Sequence, residues 1–227
     1  MALLFTPLKM GAQTLPNRIC VPPMCCCLAR EGVGSDELIA HYEKLAASGA
    51  GLVVIEATAV RADGRITTRC LGLYNDEQER FFKRLLKACR AVAPAETKFF
   101  LQLSHCGRKG SRKDPKTGHG TLLPEEGGFA LMAPSAVAYT PQAPMPREMT
   151  EADIDRMLQA FEAAAHRAAR VGFDGIQIHA AHGYLVHQFL SPVTNRRTDN
   201  WGGSLQNRQR FALEVVKAVQ RLSLIHI

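Results

Sequence analysis

The chain is 227 residues long, 46% hydrophobic and 22% charged, an ordinary globular composition with enough apolar mass for a full core. No apolar run approaches the ~20 residues that span a bilayer, and the amino terminus lacks a basic start followed by a long apolar segment. No membrane partner and no secretory leader are therefore expected, and the cytoplasm is the expected compartment.

The first strand is short and lies around residues 18–21. A helix follows over 35–48 and stops at Gly49. Residues 51–57 are almost continuously apolar, as in a parallel strand covered on both faces. Asn75, with Gln78 three residues on, marks the start of a second helix that runs to about Val92. Residues 98–103 form the third strand. A long Gly/Pro/basic excursion occupies 104–149, and connections of that length in compact domains are functional or disordered. Thr150 and Asp153 form a helix-start box for a helix running to about Arg170. The fourth strand covers 173–178, and a last helix begins after Ser204 and runs to about Arg221.

Four strand–helix units in alternation predict a parallel sheet with right-handed crossovers. A doubly wound sheet and a (β/α)8 TIM barrel both fit, but no G-x-G-x-x-G fingerprint follows the first strand, and candidate functional groups follow each of the four strands. The pattern leans towards an α/β barrel, of which residues 1–221 would supply the first four β/α units, although a closed barrel needs eight. Residues 222–227 neither continue the helix nor make a credible fifth strand, and they back-translate to a sequencing-adaptor sequence. They are expected to be a non-native tail.

The net charge of +7 is partly local, with Arg108, Lys109, Arg112, Lys113 and Lys116 in one segment. It reads first as a solvated loop and second as a contact for an anionic small molecule. Without aromatic interleaving or a binding motif, no nucleic acid partner is expected. The seven cysteines, three of them consecutive (Cys25, Cys26, Cys27), resemble no secreted disulfide framework and have no Cys-x-x-Cys or histidine partner at ligand spacing. Reduced thiols and no metal are expected.

His179-Ala-Ala-His182-Gly-Tyr184 places two imidazoles and a phenol just beyond the fourth strand, at the edge where α/β proteins put their active sites. The alternative is one buried, satisfied histidine with the other and Tyr184 facing solvent. A metal-dependent hydrolase using His105, His179 and His182 is a rival reading that lacks nearby carboxylates. A non-catalytic half-barrel is another.

Motifs in series carry a more specific signal. They are Pro16-Asn-Arg-Ile19, Pro23-Met-Cys25, Glu56-Ala-Thr-Ala59, Gly64-Arg-Ile-Thr67, Gln102-Leu-Ser-His-Cys-Gly-Arg-Lys109, Ala133-Pro-Ser135, the His179–Tyr184 stretch, Phe189-Leu-Ser-Pro192, Asn195-Arg-Arg-Thr-Asp199 and Gly202-Gly-Ser204. In this order the chain resembles the old yellow enzyme family of FMN-dependent, NAD(P)H-consuming ene reductases over nearly all of residues 4–220.

The resemblance implies a TIM barrel with FMN at its mouth and a small-molecule enone as substrate. Pro22, Pro23, Met24 and Cys25 would contact the flavin, Ala57 would leave room for it, and Gln102 would bond its pyrimidine side. His179 and His182 would hydrogen-bond the substrate carbonyl, and Tyr184 would deliver a proton. Cys27 stands where the close branch has a substrate-contacting tyrosine, which would reshape the pocket. Ser104-His-Cys-Gly107 and the 122–128 run look more like longer relatives that add a 4Fe–4S cluster and FAD and act on enoyl-CoA substrates. A homo-oligomer is expected for the full-length protein. The 227 residues alone are expected to be inactive and to hold FMN weakly, since the family's phosphate site lies further along the chain.

Overall fold

The structure, a computed structural model, describes residues 2–116 and 118–221. The expected tail at 222–227 lies outside the described residues.

Four parallel strands form the central sheet: β1 (Cys20–Val21), β2 (Leu52–Ala59), β3 (Lys98–Ser104) and β4 (Gly175–Ile178). They lie side by side in chain order, with Cys20 opposite Leu52, Val54 opposite Phe100, and Gly175 opposite Phe100 from the other side. A doubly wound sheet reverses its strand order at a switch point. This sheet advances in one direction only.

Among the described residues five α-helices accompany it: α1 (Asp36–Ala46), α2 (Asp76–Val92), α3 (Glu151–Val171), α4 (Leu185–Leu190) and α5 (Leu205–Gln220). Their starts are written locally. The Ser35 hydroxyl accepts from the Leu38 N–H, the Asn75 amide oxygen accepts from the Gln78 N–H, and Thr150 and Asp153 cap each other reciprocally. α3 ends at Gly172, whose φ of +100° is open to glycine at little cost.

Every residue of β2 is buried, because helices cover one face of the sheet and side chains from the chain's own start cover part of the other. The helix-side core contains Leu38, Val53, Ile55, Phe82, Leu85, Leu101, Phe161 and Phe211, with the rings of Phe82 and Phe173 in edge contact at 5.9 Å. The inner face holds a smaller cluster of Leu15, Leu52, Val54 and Phe100. Leu8 and Met10 pack onto it from an antiparallel hairpin of Leu8–Met10 with Gln13–Leu15. Beside that cluster an apolar groove of about 430 Å³ runs past Val54, Phe100, Ile178 and Val216.

Several features add to or differ from expectation. β1 is two residues long, not four, and β4 starts at Gly175, not Phe173. At β4 the Asp174 carboxylate accepts the Phe99 N–H at 2.8 Å, so a side chain takes the place of a ladder partner. α4, for which the sequence carries no stated expectation, is a short turn of helix directly after the His/Tyr stretch. The 104–149 excursion is folded, with one-turn helices at Gly107–Lys109 and Pro124–Glu126 and a strand pair of Met132–Ala133 with Arg147–Glu148.

Candidate active site

The site forms where the four strands end. The β4 ladder continues one residue past the strand, the His179 N–H donating to the Leu103 carbonyl at 2.9 Å. The Ala181 N–H then reaches the His179 Nδ1 at 3.4 Å. A neutral imidazole that accepts at one nitrogen donates at the other, so Nε2 carries the proton. Burial first, with His182 and Lys109 nearby, pulls the His179 pKa down to about 4. At neutral pH this ring is an uncharged hydrogen-bond donor.

The backbone then turns sharply. His182 has a φ of +57° and Gly183 of +73°, and a left-handed histidine is tolerated only where its surroundings hold it. Lys109 supplies part of that hold, its ammonium donating to the His182 carbonyl at 2.8 Å. The Gly183 N–H donates to His187 Nδ1 at 2.9 Å, and the buried Gln188 amide donates to the Gly183 carbonyl at 2.8 Å. α4 therefore serves as the strut of the turn.

The turn stacks the trio. The His179 ring meets His182 edge-on at 5.2 Å and Tyr184 edge-on at 4.8 Å. The Lys109 ammonium lies 4.9 Å from the centre of the Tyr184 ring. Burial, reinforced by the sulfurs of Cys25 and Cys70, pushes the phenol up to about 12, so it keeps its proton through the physiological range.

These side chains line a cleft of about 460 Å³ together with Pro22, Pro23 and Cys25 after β1, Ala57 in β2 and Gln102 in β3. The register of β2 against β3 shifts between Ile55 and Thr58, so Glu56 and Ala57 sit in an irregularity that re-aims their side chains. Gln102 donates through its amide to the Gln177 side-chain oxygen at 2.6 Å.

Two of the expected residues are not brought to the cleft wall. Met24 is about half exposed and does not line the cleft. Cys27 has a left-handed φ of +55° and does not line the cleft. The histidine ligand set is not assembled either. His105 is buried, its Nδ1 accepting the Gly107 N–H at 3.1 Å and its Nε2 facing Asp63 at 3.5 Å.

Sequence reading missed Ile66, Gln177 and Ile178 on the wall, and the roles of Lys109 and Glu56. Gln177 carried a signal, a polar residue in an apolar strand. Glu56 did too, as an acid inside a buried run. Its carboxylate is 1% exposed and accepts the Cys26 N–H at 2.9 Å, while its other oxygen has no partner among the described residues. Burial raises its pKa to about 7.

With this geometry in view, comparison with known proteins is decisive. The model of the NADH:flavin oxidoreductase / NADH oxidase family matches residues 3–223. The chain belongs to this family. It is 43% identical over 224 residues to an NADPH dehydrogenase of Listeria welshimeri, covering 98% of this chain and 61% of that protein. It is 42% identical over 220 residues to an NADH:flavin oxidoreductase of Gibberella zeae, covering 95% and 52%. Among solved structures it resembles morphinone reductase with a TM-score of 0.83 at 34% identity, covering 96% of this chain and 59% of that one. It likewise resembles the Old Yellow Enzyme from Pichia sp. AKU4542, with a TM-score of 0.84 at 30% identity, covering 96% and 56%. The chain thus spans between about half and three-fifths of the length of these relatives.

Proposed function

We propose that the protein is an FMN-dependent oxidoreductase that reduces the C=C bond of α,β-unsaturated carbonyl compounds with NAD(P)H, and that its four β/α units are the first four of an eight-unit barrel. The observation that carries the reading is the His179–His182–Tyr184 cluster, three ring groups in edge contact on one cleft, two of them held uncharged at neutral pH. The apolar groove on the inner sheet face supports the barrel, since a closed barrel packs that face.

The cleft fits a flavin. Its volume falls within the range of cofactor sites, Ala57 offers only a methyl group to a flat ring, and the Gln102 amide stands on the same wall. Pro22, Pro23, Cys25, Ala57 and Gln102 would hold the cofactor. When bound, FMN supplies the hydride and NAD(P)H restores it.

The chain's own residues do the rest. Nε2–H of His179, with the His182 ring beside it, donates to the substrate carbonyl oxygen, stabilising the negative charge that develops there as the β-carbon is reduced. Because His179 is uncharged it binds that oxygen without surrendering a proton to it. Tyr184, still protonated, donates to the α-carbon as general acid.

The test separates the two half-reactions in the full-length, FMN-loaded protein. Tyr184→Phe is expected to slow substrate reduction by about 10²–10⁴-fold while flavin reduction by NAD(P)H keeps its rate. Equal loss in both half-reactions, or in neither, overturns the assignment.

One observation favours a second reading, an enoyl-CoA substrate in a longer iron–sulfur relative. Arg108, Lys109 and Arg112 ring Tyr139 at 5.9, 5.0 and 5.8 Å from its centre, a cationic rim beside Tyr184 suited to an anionic tail. Iron content and the ratio of turnover on a CoA thioester to turnover on the free enone separate the two readings.

A further inference from the structure

Two side-chain amides on the cleft wall are bonded to each other, and the proposed cofactor site uses only one of them. Strand pairing brings them together. Gln177 in β4 stands opposite Gln102 in β3 in the parallel register, and in-register neighbours of a parallel pair point to the same face of the sheet. That face is the inner one. Phe100, two residues before Gln102, belongs to the inner cluster with Val54, whereas Leu101, Leu103 and Ile176 belong to the helix-side core. Gly175 leaves room on the same face, since a Cβ there would stand 2.4 Å from the Phe100 ring.

The bond between the amides has a direction. Gln102 Nε2 donates to Gln177 Oε1 at 2.6 Å. A primary amide has two N–H donors and one accepting oxygen. With one N–H committed to Gln177, Gln102 has its oxygen and its second N–H left to offer. Gln102 is only 9% exposed, and a buried amide needs its partners supplied by the protein or by a ligand. Gln177 is exposed and lines both the cleft and the neighbouring apolar groove, so its own N–H groups can reach water.

We propose that Gln177 is a positioning residue for the flavin: by accepting from Gln102 it reserves the Gln102 oxygen for the N3–H of the pyrimidine ring. The imide edge of a flavin presents one donor, N3–H, flanked by two carbonyl acceptors. An amide that offers an oxygen and an N–H to that edge satisfies a donor and an acceptor together. The same amide turned round would set nitrogen against the N3–H, donor facing donor, and a buried hydrogen bond would be lost. Gln177 decides between the two orientations and acts on the ring only through Gln102. This role rests on the flavin reading above and adds to it the residue that orients the recognising amide.

The experiment compares FMN with 3-methyl-FMN, which lacks the N3–H, on the flavin-free form of the full-length protein, with binding followed by flavin fluorescence. The unmutated protein is expected to prefer FMN by about tenfold, the scale of one hydrogen bond. Gln177→Glu, which accepts as a carboxylate and cannot donate, should keep that preference. Gln177→Leu, which can do neither, should lower it to less than about twofold. The ratio is the decisive quantity, because a variant that merely loosens the cleft weakens both flavins alike. A full preference in Gln177→Leu, or its loss in Gln177→Glu, overturns the role of Gln177 and leaves the flavin reading intact. Equal binding of the two flavins by the unmutated protein overturns it without recourse to a variant. Failure of the unmutated protein to bind either flavin overturns the flavin reading itself, and this role with it.

Discussion

The cleft is lined from opposite edges of the sheet, and the two sides are built differently. The β1 side offers shape: two prolines and a thiol after β1, with the single methyl of Ala57 next to them in β2. The β4 side offers chemistry: two imidazoles and a phenol. The difference extends to how each side is held. The β1 loop hangs on a buried carboxylate that titrates near neutrality, because Glu56 accepts the Cys26 N–H. The β4 turn is held by several ties at once, the Leu103 carbonyl below His179, the Gln188 amide and the His187 ring below Gly183, and the Lys109 ammonium on the His182 carbonyl. A cofactor-holding side can tolerate adjustment, whereas a proton-delivering side needs fixed protonation states.

The largest effect that would break this contrast is loss of the β4 donors. His179→Ala is expected to cost about 10²–10³-fold in substrate turnover, the scale of one oxyanion-stabilising donor, while the flavin absorbance of the full-length protein is unchanged. Loss of flavin with turnover would mean that the two sides are one structure. His179 also carries a sign. Its pKa falls from 6.5 in the open chain to about 4 when folded, so the unfolded state binds more protons between those values. Its contribution to stability is complete above about pH 6.5 and is lost as pH falls towards 4. Substrate affinity should accordingly stay flat from neutrality down to about pH 5.

A smaller effect tests the strap on the β4 turn. Lys109→Met removes the donor to the His182 carbonyl and leaves a left-handed histidine less supported. A loss of about tenfold in kcat/KM, equivalent to about 1.4 kcal/mol, is expected, with flavin reduction by NAD(P)H little changed. An undiminished kcat/KM would show that α4 alone holds the turn.

The same contrast explains what was legible in the sequence. The β4 side could be read directly, because three chemically distinctive side chains fall within six residues after a strand and chain proximity does the assembling. The helices were legible through their caps, Asn75, Thr150 and Ser204, since capping is local. The β1 side could not be read from spacing. Pro22, Ala57 and Gln102 become neighbours only through strand pairing, and their types are common in any loop or strand, so only the resemblance pointed to them. Met24 and Cys27 show the limit of carrying positions across by motif. A left-handed backbone at Cys27 cannot be foreseen from Cys-Cys-Cys, and Cys27 does not line the cleft. The Lys109 strap, spanning 73 residues, had no local signal at all.

The smallest effect concerns the β1 side and is a matter of pH. Folding raises the Glu56 pKa from 4.5 to about 7, with burial as the first cause. Between those values the folded state binds more protons than the unfolded chain, so stability decreases as pH rises through this window and is lowest, from this group, above about pH 7. Glu56→Gln keeps a side-chain oxygen for the Cys26 N–H and removes the titration. The expected result is a flatter dependence of Tm on pH between about pH 5 and about pH 8, with the variant gaining on the parent at the alkaline end. Parallel curves for the two proteins would show that the carboxylate is solvated and that the β1 loop is held as firmly as the β4 turn. A flatter curve accompanied by a lost pH dependence of the flavin absorbance would tie the loop's hold directly to the cofactor it is proposed to carry.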